Sequence, residues 1–334
     1  MSAQPPTPRC RVCGSAEVAE WLRPREMMFG RREQFSYFRC AACGCLQIDR
    51  VPANLGDYYP ATYYSYDRPP GGAGSFKAVL KRKFVAPHLT RHLLGWGSVR
   101  GRLFAGILRP ATIPPWLGFM ARPLSFTGAV LDVGCGSGAN LLMLRDCGFS
   151  DLRGIDPFLP ASAEYDGGVR VDKCRLEDAN GQYELVMFHH VFEHVEDPKA
   201  TLQEARRLLA PRGQILIRIP LADSDAAARY RENWVQLDAP RHIALQTRQS
   251  MAVLAQQAGL KISRVEYDSS AFQFWGSEQY ARDIPLVDAR SYQTDKSASV
   301  FRAEQINEFS NEAERLNREG RGDQAAFVLE AANL

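Results

Sequence analysis

Apolar positions recur along this chain with more than one period, and the periods divide it into elements. Ala129, Val130 and Leu131 form a short apolar run that ends at Asp132 and a cluster of glycines. Leu141, Leu142 and Leu144 then lie within Ala139 to Cys147, long enough for a helix. This order predicts a strand, a tight loop and a helix, with a further strand over Leu152 to Ile155. Thr247 to Ala258 and Ser297 to Arg318 read as helices, the second carrying Phe301, Ile306 and Phe309 as an apolar stripe. After a break at Gly320 and Gly322, Gln324 to Ala332 also reads as helix. Earlier, Phe76, Val79, Leu80, Phe84 and Val85 stand at helical spacing with Lys81, Arg82 and Lys83 opposite, and Pro87 interrupts them. A second amphipathic stretch runs through Val99, Leu103, Phe104, Ile107 and Leu108.

The chain's 334 residues suffice for two or three domains, and no internal repeat or long low-complexity run divides them further. With 24% charged and 45% apolar residues it has the composition of a folded protein. No run of about 18 uncharged apolar residues offers a membrane span, and no basic-then-apolar leader is visible, so a cytoplasmic location is expected. The net charge of +3 conceals an asymmetry. Residues 1–126 hold 18 Lys and Arg against 7 Asp and Glu, whereas the remainder holds 23 against 31. From Arg68 to Leu131 there are ten basic residues and no acid. Such a stretch would attract a phosphate-bearing partner or an anionic surface. Two helices packed on the next domain are the plain reading of 76–109; peripheral contact with a membrane or a lipid-linked substrate is the alternative.

Five of eight cysteines fall in the first 45 residues. Cys10 and Cys13, then Cys40 and Cys43, make two CxxC knuckles, each followed by glycine, a pattern that predicts a zinc ribbon. Four protein thiolates leave no open position for water, so the metal would be structural. Cys45 could replace Cys43 in the ligand set. Disulfides are the competing reading, disfavoured in a reducing compartment. Residues 57–66 then carry five tyrosines, followed by a Pro- and Gly-rich link.

The loop Gly134, Gly136, Gly138 follows the strand ending at Asp132, and a second acid, Asp156, ends the next strand. Glycines let backbone N–H groups approach a ligand closely. A phosphate-binding loop would need Gly-Lys-Ser/Thr, and a dehydrogenase fingerprint wants GxGxxG. Two acids point instead to a cationic, ribose-containing ligand. With the later segments Glu184 to Asp197 and Leu209 to Ile217, the set resembles the class I S-adenosylmethionine-dependent methyltransferases over about residues 126–276. That resemblance implies an α/β, doubly wound, Rossmann-like sheet of seven strands. It also implies cofactor contacts at Asp132, Gly134, Gly136, Gly138, Asp156, Glu177 and Asp178, with His190 beside them. The implied organisation is a zinc-ribbon module over 1–56, a Tyr-rich and basic helical linker or lid over 57–125, the methyltransferase core over 126–276 with a cap at 221–246, and a helical tail over 277–334.

The chain further resembles methyltransferases that carry an amino-terminal zinc ribbon and act on sugars or natural-product intermediates. In that group a Glu-His pair after the fifth strand and a His after the fourth supply acid and base. Here His242 matches but Arg241 stands in place of the Glu, which favours O-methylation over C-methylation. Deprotonating a hydroxyl calls for a base near the acceptor, and His242 is the first candidate, His194 the second. Tyr64 and Tyr66 could bond substrate hydroxyls or simply pack. The expected acceptor is a sugar, glycan or polyketide-like hydroxyl, with a nucleotide- or lipid-linked form among the options, and a homodimer could form through the tail. The alternative is an RNA-modifying methyltransferase or nucleic-acid-binding protein, suggested by the ribbon and the basic first third. It is disfavoured because the Pro-Pro motif of adenine N-methylation and the Pro-Cys nucleophile of base C5-methylation are absent.

Overall fold

The computed structural model describes residues 8–59, 76–105 and 112–332. Tyr64, Tyr66, Ile107 and Leu108 therefore lie outside the described residues. The amino-terminal strands are β1 (Val18–Leu22), β2 (Tyr37–Cys40) and β3 (Leu46–Ile48), followed by helices α1 (Phe76–Phe84), α2 (Ala86–Leu93) and α3 (Val99–Ala105). Pro87 acts as expected: α1 ends at Phe84, and the proline sits in the first turn of α2, where its missing N–H costs nothing.

Next come β4 (Ala129–Val133), α4 (Ala139–Asp146), β5 (Asp151–Ile155), β6 (Ala163–Tyr165), β7 (Val169–Asp172), β8 (Tyr183–His189), α5 (Pro198–Arg207) and β9 (Leu209–Pro220). The chain closes with α6 (Asp225–Tyr230), β10 (Ala244–Leu245), α7 (Arg248–Gln257), β11 (Leu260–Tyr267), α8 (Phe272–Ala281), α9 (Ala303–Arg318) and β12 (Gln324–Ala331). The main sheet runs β11-β12-β9-β8-β4-β5-β7-β6. Its centre is parallel, while β12 pairs antiparallel to both β9 and β11. Eight strands are present rather than seven because the short β6 adds an antiparallel edge to β7.

Side chains alternate between two cores. Leu131, Val186, Phe188, Ile215, Ile217 and Phe327 face one way, and Val130, Leu185, Met187, Leu216 and Val328 face the other. With both faces covered, such strands carry continuous apolar runs. The helical reading of 324–332 is overturned for this reason. Ala325, Phe327 and Leu329 enter one core, Ala326 and Val328 the other, and periodicity alone cannot separate a doubly buried strand from a buried helix. The tail is therefore partly helix, α9, and partly an inner strand of the main sheet.

The ribbon is fused to the core. Its sheet has the order β1-β2-β3-β10, so the last strand comes from the cap segment, some 200 residues later. Thr247 Oγ1 donates to the Cys43 carbonyl at 2.8 Å, and Gln257 Nε2 donates to the Val12 carbonyl at 3.1 Å. The ribbon cysteines pack in the same apolar cluster as α5 and α7.

Candidate active site

Parallel pairing brings the ends of β4, β5, β7 and β8 to one edge of the sheet, where α/β folds place their ligands. Gly134 turns there at φ 68°, and a Cβ on it would lie 2.5 Å from Val191 Cγ2, so only glycine lets the two loops meet. Asp156 accepts from the Gly136 N–H at 3.1 Å and the Phe158 N–H at 2.9 Å, which holds its carboxylate at the loop. Asp132 is buried and its Oδ2 has no hydrogen-bond partner. Burial pushes its pKa up to about 8, with the Asp156 charge adding and a bond from Asn140 opposing. An orphaned buried carboxylate oxygen beside an open glycine loop fits a ligand that brings a cation. Glu177 and Asp178 lie in an exposed turn after β7, where Glu177 Oε1 pairs with Arg175 at 2.5 Å.

At the end of β8 the backbone turns abruptly: His190 adopts φ 54°, in the left-handed region that a non-glycine residue enters only under constraint. A short turn over Phe192–His194 follows, anchored by the fully buried Phe192. It drives Glu193 inward, where both carboxylate oxygens lack hydrogen-bond partners. Glu193 Oε1 lies 3.4 Å from His190 Nδ1 and 3.9 Å from His242 Nε2. Burial opposes its ionisation, but the close approach of His190 and the fields of His194 and His242 outweigh it, holding the pKa at about 2.

The two candidate bases meet. The His194 and His242 rings lie 4.7 Å apart at 72°, edge to face. His242 Nδ1 is 2.7 Å from the Gln236 carbonyl, and His194 Nδ1 is 2.8 Å from the Arg241 carbonyl. A carbonyl only accepts, so each Nδ1 carries a proton. Burial, reinforced by His194, lowers the His242 pKa to about 4, so at neutral pH its ring is uncharged and Nε2 holds the lone pair. Tyr59 places its hydroxyl 3.2 Å from His194 Nδ1. His189, by contrast, is half-buried with its ring 4.7 Å from that of Trp116 and takes no part in this cluster.

Arg241 does not face the reacting centre. Fully buried, it bonds Asp238 through Nε at 2.9 Å and Nη2 at 2.6 Å, Glu26 at 3.0 Å and the Tyr58 carbonyl at 3.2 Å, and lies over the Phe29 ring. It therefore latches the cap to the ribbon module, and Tyr37 adds a hydroxyl bond to the His242 carbonyl at 2.8 Å. Removing one partner from such a buried charge cluster costs about 3–5 kcal/mol. The acid missing beside His242 in sequence is supplied in space by Glu193. Its adjacency to His194 was the available signal, but burial of a lone carboxylate is not legible from spacing.

In the ribbon, Cys10 and Cys43 Sγ are 3.5 Å apart, as are Cys13 and Cys40 Sγ. All four Sγ atoms lie within 4.8 Å of one another, and the cysteines are free of disulfides. Tetrahedral Zn–S bonds of about 2.3 Å place sulfurs about 3.8 Å apart, so the set fits zinc. Gly14 and Gly44 both turn at φ 74°, closing the knuckles. Cys45 is buried beside this group but outside it. Glu193, His194 and His242 form the second cluster of potential ligand atoms within 4.8 Å among the described residues.

Residues 106–265 match a family model described as a methyltransferase domain. This match takes in just under half of the chain and marks that part as similar to methyltransferase domains. Over 99 residues the chain is 33% identical to a ubiquinone biosynthesis O-methyltransferase of Pseudomonas paraeruginosa and 32% identical to one of Pseudomonas aeruginosa. Each alignment covers 26% of this chain and 42% of the relative, so the chain spans under half the length of these relatives. Among solved structures it is similar to a chain of the complex between the Haloferax volcanii Trm112 methyltransferase activator and a methyltransferase. That match has 19% identity, a TM-score of 0.43, and covers 64% of this chain and 86% of that one. It is also similar to a cyclopropane synthase from Mycobacterium tuberculosis, with 18% identity, a TM-score of 0.41, and coverage of 64% and 80%. No helix among the described residues is long and apolar enough to cross a membrane.

Proposed function

We propose that this methyltransferase methylates a hydroxyl of a small molecule, a sugar, glycan or polyketide-like acceptor, with His242 as base and a structural zinc in the ribbon. The observation that carries this reading is the edge-to-face pair of imidazoles, each held through Nδ1 by a backbone carbonyl, beside the buried Glu193 carboxylate. When bound, S-adenosylmethionine supplies an electrophilic methyl group on a sulfonium. Asp132, Gly134, Gly136, Gly138, Asp156, Glu177, Asp178 and His190 would hold it, Asp132 facing its cationic part and Asp156 its ribose. His242 Nε2 would take the proton of the acceptor hydroxyl, and that oxygen would receive the methyl carbon of the bound cofactor, whose C–S bond breaks to leave a neutral thioether. Glu193 stabilises the imidazolium that results, and Gln236 keeps the ring oriented. The naming of the sequence relatives as O-methyltransferases supports the choice of oxygen over carbon. Labelled S-adenosylmethionine incubated with fractionated cell extract should yield a labelled small molecule bearing a new methyl ether. Label recovered only in RNA or protein would overturn the acceptor class.

The cofactor assignment has its own test. Between the unfolded carboxyl pKa near 3.9 and about 8, native Asp132 holds a proton that the unfolded chain has lost. Asp132 therefore makes the unliganded protein less stable as pH rises through that window. A cation placed at Oδ2 favours the carboxylate. Cofactor binding should thus release close to one proton near neutral pH, and affinity should rise with pH and level off above about 8. Calorimetry in two buffers of different protonation enthalpy measures this; equal apparent enthalpies, unchanged in Asp132→Asn, would remove Asp132 from the cofactor site.

A further inference from the structure

Eleven large apolar side chains are exposed among the described residues, and six of them fall between Val79 and Leu103, under a tenth of that length. They are Val79, Leu80, Phe84, Leu93, Val99 and Leu103. Leu80 and Phe84 stand four residues apart on α1, as do Val99 and Leu103 on α3, so each pair shares one helix face. Val99 is 83% exposed, Leu103 68% and Phe84 58%, far beyond the usual scatter of partly covered apolar residues. Soluble surfaces seldom gather exposed apolar groups in this way unless something covers them.

The charge around them says what does. Lys81, Lys83, Arg100 and Arg102 are exposed on the same two helices, and no acid occurs from Arg68 to Leu131. The unit is held to the core from its other side. Leu89 is buried, Thr90 Oγ1 donates to the Cys147 carbonyl at 2.9 Å, and Arg82 pairs with Asp166 at 2.9 Å. A cleft of about 380 Å³ lined by His88, Arg91, Ser98, Ser125 and Thr127 lies against α2 of this same unit. Exposed apolar side chains interleaved with exposed cations such as Lys83, Arg100 and Arg102, on short helices too brief to span a bilayer, match an anionic lipid surface. A nucleic acid would use the cations but leave the apolar side chains in water.

We infer that α1 and α3 dock this methyltransferase on the surface of an anionic membrane, with Phe84, Val99 and Leu103 entering the headgroup region. The inference is independent of the acceptor: vesicle binding is read without turnover. Full-length protein should float with phosphatidylglycerol-containing vesicles and remain unbound with phosphatidylcholine alone, and the bound fraction should fall with added salt. Phe84→Ser with Leu103→Ser, and separately Lys83→Glu with Arg100→Glu, should each weaken vesicle binding at least tenfold. Because these side chains are exposed, melting temperature should not change. Failure of the wild type to float with anionic vesicles would overturn the inference. So would wild-type binding by both variants, or a wild-type dimer that Leu103→Ser dissociates into monomers.

Discussion

Cys40→Ser is expected to abolish zinc retention, to lower the melting temperature by well over ten degrees, and to leave the protein nearly inactive although the mutated residue lies in the ribbon. Wild-type protein should carry one zinc per chain. Binding of a structural zinc contributes about 10–16 kcal/mol in isolated zinc-finger peptides, against a total stability of about 5–15 kcal/mol for a typical domain. Loss of one of four thiolates removes enough of that to unfold the module. The damage should spread because the ribbon is built into the site. β10 completes the ribbon sheet through Ala244 and Leu245, two residues beyond His242. Tyr37 bonds the His242 carbonyl, and Glu26 holds Arg241. Metal analysis, thermal melting and turnover together check this. A wild-type melting point unchanged by stripping the zinc, or a Cys40→Ser protein that melts with the wild type, would refute the structural metal.

His242→Ala should reduce kcat by about 10²- to 10⁴-fold, the usual contribution of a positioned base, with little change in affinity for S-adenosylmethionine. Glu193→Gln should lose less, since it leaves the base in place but removes the charge that stabilises its protonated form. His194→Ala tests the second candidate and should fall between the two. The pH profile adds a readout that simple misfolding would not give. With its pKa lowered to about 4, His242 is unprotonated across the neutral range. The acid limb of kcat should therefore lie well below pH 6.5 and disappear in His242→Ala. The same shift has a stability sign. Below about pH 6.5 the unfolded chain takes up a proton that native His242 refuses, so its contribution to stability falls as pH drops toward 4. A His242→Ala enzyme with wild-type kcat would end the assignment.

Features that depend on neighbours in sequence were legible in the chain. CxxC spacing brings two thiolates together within one turn, and Gly14 and Gly44 adopt the positive φ that the knuckles require. The loop from Asp132 to Gly138 is likewise local, since strand, turn and helix follow directly from its residues. So are the split at Pro87 and the helices α7 and α9.

Long-range partnerships were not legible. Gln324–Ala331 became an inner strand because β9 and β11 offer it ladders on both sides, a choice its uniformly apolar composition left open. Glu193 became the carboxylate beside His242 because the strained turn at His190 and the buried Phe192 swing it inward. Arg241, read from position as a lost catalytic acid, is a buried latch whose partners Glu26 and Tyr58 lie more than 180 residues away. The sequence by itself determined the four-cysteine cluster, the glycine loop and the two candidate histidines, because each depends on covalent spacing or on a single residue's chemistry. Tertiary structure alone decided how those histidines are oriented, which acid accompanies them and how the ribbon supports them, because burial and hydrogen-bond direction arise only when distant segments pack.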